Sequence, residues 1–136
     1  MQYYGVQSEL IKVPFLTSAF KCGFGTPFSD GCEYLMLQSS FVSGIKDPYI
    51  IRATGDSMYP TINEGDILVL DHGVTVARDG NIVAAMVDGG FVIKEYKVEN
   101  FSTYLVSHNT NYKRIKISSE EDIIFGVIHH LFRQFK

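Results

Sequence analysis

From Asp47 onward the chain alternates short runs rich in Val, Ile, Tyr and Phe with Asp/Asn-Gly turn signals, and this pattern most constrains the fold. The runs fall at 49–54, 67–70, 81–87, 91–98, 103–106, 115–117 and 123–132. Between them lie Asn63-Glu64-Gly65-Asp66, Asp71-His72-Gly73, Asp79-Gly80 and Asp88-Gly89-Gly90. β-Branched and aromatic residues suit a pleated, half-buried surface, and Asp-Gly accepts the left-handed backbone of a tight hairpin. Strands so short and closely spaced predict a mainly β protein: a compact, folded-over, largely antiparallel domain. A short helix is expected at 61–63, before Gly65.

Residues 1–46 read differently. Short apolar pieces (Leu10, Ile11, Val13, Phe15, Leu16, Phe20) mix with Pro14, Gly23, Gly25, Pro27 and Gly31, and no segment holds one period for long. Only 33–42, with Leu35, Met36 and Phe41, carries a short helical pattern. The stretch 21–27 is expected to be exposed and mobile, because glycine widens backbone freedom and proline interrupts a ladder. The chain therefore divides into an extended, mobile N-terminal arm, 1–46, and a β core, 47–136.

At 136 residues the length fits a single domain. With 46% apolar and 20% charged residues, disordered, collagen-like and low-complexity classes are excluded. No apolar run reaches the ~18–20 residues of a membrane span, and the N-terminus lacks the pattern of a signal peptide, so a cytoplasmic protein is expected. A net charge of −3 argues against strong direct binding to a nucleic-acid backbone. Two cysteines, Cys22 and Cys32, do not make a disulfide framework, and no Cys/His cluster suggests a metal; no cofactor is expected.

Gly55-Asp56-Ser57-Met58 follows the run 49–54. A serine just past a strand end, beside glycine, can present its hydroxyl to a cleft; the ordinary alternative is a turn serine. As a nucleophile it needs a base. His72 lies in a turn, His108 in a His-Asn-Thr-Asn loop, and His129 and His130 in an apolar strand where packing is the bland role. Nothing local assembles a Ser-His-Asp arrangement. Lysine is the other known base. In the run 91–98, period-2 alternation puts Phe91, Ile93, Glu95 and Lys97 on one face and Val92, Lys94, Tyr96 and Val98 on the other. Lys94 is the only formal charge on its face. Desolvation there disfavours the ammonium and prepares a neutral amine, the alternative being a lysine that reaches solvent from an edge.

Taken together, Gly55-Asp56-Ser57-Met58, 64–71 (Glu-Gly-Asp-Ile-Leu-Val-Leu-Asp), 80–85 (Gly-Asn-Ile-Val-Ala-Ala) and Phe91-Val92-Ile93-Lys94 closely resemble the LexA/UmuD-type self-cleaving Ser–Lys peptidases. The resemblance continues through 117–120 and 125–129 and covers about 15–132. The arm is too short and irregular for the winged helix-turn-helix of the repressors, so the match is nearest the short, UmuD-type branch. The resemblance implies Ser57 as nucleophile, Lys94 as general base and acid, and main-chain N–H groups of Ser57 and Asp56 as the oxyanion hole. It implies self-cleavage at Cys22–Gly23, a small residue followed by glycine. It further implies an SOS-response role: cleavage stimulated by a RecA nucleoprotein filament, a homodimer, and service as accessory subunit to a Y-family, UmuC-like translesion polymerase. The alternatives are a non-catalytic module whose arm recognises the polymerase, RecA or the sliding clamp; a free-standing Gly-Asp-Ser hydrolase, whose Asp-x-x-His is missing before His129 and His130; and a signal-peptidase relative, which needs a membrane anchor.

Overall fold

A computed structural model describes residues 9–22, 31–74, 76–117 and 123–135. The chain is mainly β and antiparallel, as the alternating runs predict. The strands are β1 (Leu10–Pro14), β2 (Tyr34–Gln38), β3 (Pro48–Arg52), β4 (Ile67–Asp71), β5 (Ile82–Val87), β6 (Gly90–Glu99), β7 (Ser102–Val106), β8 (Ile115–Lys116) and β9 (Ile123–Phe132). An α-helix, α1, spans Leu16–Cys22. β1 and β2 form a small sheet, and the others a seven-stranded sheet in the order β3-β4-β9-β5-β6-β7-β8.

The turn signals act where they stand. Val87 pairs with Gly90 across Asp88 (φ 50) and Gly89 (φ 80), the left-handed pair that matches the twist of a two-residue hairpin. A second such hairpin joins β6 to β7 through Asn100 (φ 51) and Phe101 (φ 65), a turn that no glycine announces.

The last strand, β9, inserts between β4 and β5 and joins the two halves of the sheet. Its register shifts on both sides, between Val69 and Leu70 on β4 and between Ala84 and Ala85 on β5. Gly126 sits where the backbones approach: a Cβ there would meet the Asp71 carbonyl oxygen at 2.5 Å. Asp71 itself is buried and takes N–H bonds from Lys46, Asp47 and Gly73. Burial pushes its carboxyl up, but these three bonds outweigh that and hold it below the usual carboxylate range.

Three sequence expectations are corrected. The described part of the arm does not extend from the core. Val13 and Phe15 are buried with Ile50 and Val69, and Leu16 and Ala19 with Tyr49, Leu70, Ala84 and Phe125. Burying such large apolar side chains contributes roughly 1.5–3 kcal/mol each, which favours docking over extension. Residues 33–42 hold strand β2 and a single 3-10 turn, Ser39–Phe41, instead of a helix. Leu35 and Leu37 also alternate with period 2, and the β1 ladder supplies the partner that decides between the two patterns. Residues 61–63 form a turn. The Ile62 N–H reaches the Met58 carbonyl, but the Asn63 N–H is taken by the Asp66 carboxylate, so the helical bonding stops there. Of the stretch expected to be mobile, 21 and 22 end α1 and 23–27 lie outside the described residues.

Candidate active site

β3 carries the chain to Arg52, and Gly55 (φ 76) then turns it into a loop. Backbone bonds close the neck of this loop: the Ala53 N–H donates to the Asp66 carbonyl and the Gly65 N–H to the Ala53 carbonyl, each at 2.8 Å. Glu64 accepts from the Gly55 N–H. Met58 and Ile62 point inward against Ala53 and Leu68 and anchor the loop from below. From outside, Arg133 makes a two-pronged bond to the buried Asp66 carboxylate (2.8 and 2.6 Å). Ser57 rides at the top of this structure.

Lys94 arrives by a different route. It lies in the middle of β6, paired with Val83 of β5, and is only 7% exposed. Its Nζ donates to Ser57 Oγ at 2.9 Å. Burial pushes the ammonium below the ordinary lysine range, and the Tyr112 ring lies 5.6 Å from Nζ. A hydroxyl and a lysine in this relation form a nucleophile–base pair: once neutral, the amine can accept the serine proton. Beside them opens a cleft of ≈ 280 Å³, walled by Leu16 and Thr17 of α1, Thr54, Phe91, Ile93 and Lys94.

The structure thus brings together Ser57 and Lys94. It does not place the predicted scissile bond. Cys22 ends α1, its side chain and all of Gly23 lying outside the described residues. Cys32 is disulfide-bonded. No described histidine bonds Ser57. His72 donates from Nδ1 to the Phe125 carbonyl and stacks on that ring. His108 donates from Nε2 to Glu95 at 2.7 Å, with Thr61 Oγ1 2.6 Å from its Nδ1. His129 and His130 are exposed, the ring of His130 lying edge-on to Phe41. Among the described residues no group of three or more His, Cys, Asp or Glu could hold a metal, and no helix is long and apolar enough to cross a membrane.

Sequence reasoning missed the loop after β7. Asn109 donates from its backbone N–H to the Ser57 carbonyl (2.9 Å) and from Nδ2 to the Asp56 carbonyl (3.0 Å). The Tyr112 hydroxyl donates to the Asp56 carboxylate. In sequence these are ordinary polar loop residues, and no local signal sets them apart.

Residues 14–129 match the Peptidase S24-like family. The chain belongs to that family. It is an SOS-related family of self-cleaving serine peptidases. The chain is 34% identical over 108 residues to the LexA repressor of Verrucomicrobium spinosum, covering 79% of this chain and 52% of that protein. It is 31% identical over 102 residues to the LexA repressor of Leptospira interrogans, covering 74% and 49%. With the LexA repressor of Clostridium perfringens the identity is 28% over 131 residues, covering 95% and 63%. The chain spans about half the length of the first two of these relatives.

Proposed function

We propose that this S24-family chain is a UmuD-type protein that cleaves itself at Cys22–Gly23 with Ser57 and Lys94. The observation that carries this reading is the 2.9 Å contact between Lys94 Nζ and Ser57 Oγ at the edge of a cleft. Neutral Lys94 takes the Ser57 proton, and Oγ attacks the Cys22 carbonyl carbon. The developing oxyanion is met by the Ser57 and Asp56 N–H groups. Lys94 then gives the proton to the departing Gly23 amine. Water, deprotonated by Lys94, releases the acyl group from Ser57. The relatives matched are LexA repressors, so the UmuD-type assignment rests on the sequence resemblance.

In this reading the shortened form, 23–136, is a cytoplasmic homodimer. It acts as accessory subunit to a Y-family translesion polymerase, and a RecA nucleoprotein filament promotes the cleavage by favouring the arm conformer that fills the cleft.

The test is intact mass after incubation at about pH 9–10, where even a modestly perturbed lysine is substantially neutral. A thiol reductant is added, because Cys32 is disulfide-bonded and Cys22 is the other cysteine of the chain. A product equal to 23–136, absent in Ser57→Ala and Lys94→Ala, supports the proposal. A wild type that stays intact, also with RecA, ATP and single-stranded DNA, overturns it in favour of a non-catalytic module that binds the polymerase.

A further inference from the structure

The loop after β7 touches the Ser57 turn at both of its peptide groups. A trans peptide is planar, so its carbonyl and N–H point in opposite directions and fixing one aims the other. The Asp56 carbonyl, which shares a plane with the Ser57 N–H, accepts from Asn109 Nδ2 (3.0 Å) and from the Tyr59 N–H (3.1 Å). The next carbonyl, that of Ser57, accepts from the Asn109 N–H at 2.9 Å. Asn109 therefore holds the planes on both sides of the Ser57 Cα. Among the described residues, no acceptor takes the Ser57 N–H. The orientation of the Asn109 amide is also set: its Oδ1 accepts from the Asn111 N–H at 3.0 Å, which turns the NH₂ toward Asp56.

We infer that Asn109 is a positioning residue for self-cleavage, holding the Ser57 peptide so that its N–H meets the oxyanion in the cleft. This rests on the Ser57–Lys94 reading above and adds to it a residue from a distant loop. Among the described residues Asn109 bonds the Ser57 turn and its own loop, not Lys94. Its loss lowers the rate at which Ser57 reacts while leaving the proton equilibrium of Lys94 alone.

The full chain carrying Asn109→Ala or Asn109→Asp tests this. The aspartate keeps the acceptor for the Asn111 N–H, and so the shape of the loop, but cannot donate to Asp56. Two rates are measured across pH: self-cleavage, and phosphonylation of Ser57 by a small fluorophosphonate, which needs the oxyanion hole but not the arm. Thermal midpoints are recorded alongside. Both variants are expected to lose about 10- to 100-fold in both rates, somewhat less than deletion of an oxyanion donor costs. The pH midpoint of Asn109→Ala stays at the wild-type value, whereas Asn109→Asp also adds a negative charge beside the Ser57–Lys94 pair. Wild-type rates in the folded aspartate variant overturn the inference, as does a shifted pH midpoint in Asn109→Ala, which would place the effect at Lys94. A wild type that neither cleaves nor labels refutes the peptidase reading itself.

Discussion

Ser57 and Lys94 meet at 2.9 Å but are held in opposite ways. Lys94 is in the middle of a ten-residue strand, paired with Val83 of β5, and the ladder to β7 begins at the next residue, Glu95. Its position is over-determined, since losing any one contact leaves a row of backbone bonds in register. Ser57 is on a loop, and what orients it is a handful of single bonds: the neck at Ala53 and Asp66, the carboxylates of Glu64 and Asp66, and the Asn109–Tyr112 loop. A base held by a sheet tolerates losses in the core. A nucleophile held by a few single bonds responds to small changes at the surface.

This contrast can be broken by substitution. The largest effect is removal of either partner: Ser57→Ala or Lys94→Ala is expected to lower self-cleavage more than about 10³-fold, read by intact mass over time. Next is Leu105→Ala on β7, a fully buried residue packed with Val83, Ala85 and Val127. It should cost ~2–5 kcal/mol of stability in denaturant unfolding, yet leave cleavage per folded molecule within about twofold, because the β5–β6 ladder keeps Lys94 in register. A large loss of cleavage in the folded variant would sink the idea that the strand alone secures Lys94.

The converse change is Tyr112→Phe, which removes the bond to the Asp56 carboxylate and keeps the ring beside Lys94. Cleavage should fall about 3- to 10-fold with little change in thermal midpoint, the pattern opposite to Leu105→Ala. The smallest expected effect lies in the turn between β6 and β7. Phe101, fully exposed with φ 65, occupies backbone that favours glycine, and Phe101→Gly should raise stability by at most about 1 kcal/mol with cleavage unchanged.

A pH profile sharpens the comparison from the side of the base. Burial lowers the Lys94 pKa, so the neutral amine forms below the ordinary lysine range near ~10.4. Cleavage should rise with pH to a plateau whose midpoint lies below that range. The same shift has a stability consequence of definite sign. Between the lowered folded value and the unfolded one, the unfolded chain binds more protons, so stability rises with pH across that window. Lys94→Met should lose that rise in pH-dependent unfolding; a variant that keeps it would assign the rise to another group.

The strands were legible because their cause is local. Period-2 alternation and the Asp88-Gly89 turn depend on neighbours in the chain, and strands β3 to β9 fall at the predicted runs, whereas β1 and β2 lie outside them. Lys94 stood out for a related reason, as a lone charge on an apolar face of one strand. Ser57 alone was an ordinary turn serine until the motif order was recognised. The arm misled because Leu35, Met36 and Phe41 fit a helix as well as a strand, and only the β1 partner chose between them.

Other features had no local cause to read. β9 enters the middle of the sheet, and Gly126 is needed there because another strand's carbonyl lies where its Cβ would be. α1 docks beside the cleft because Leu16 and Ala19 find Tyr49, Leu70 and Phe125, which come from three separate strands. Asn109 reaches Asp56 across 53 residues of sequence. Backbone preference and hydrophobic period act over a few residues, so the sequence by itself determined the strands of the core, the glycine-marked turns and the two chemically capable side chains. Contacts between distant segments exist only once the sheet has closed. The tertiary structure alone therefore decided which loop holds the serine and where the arm rests.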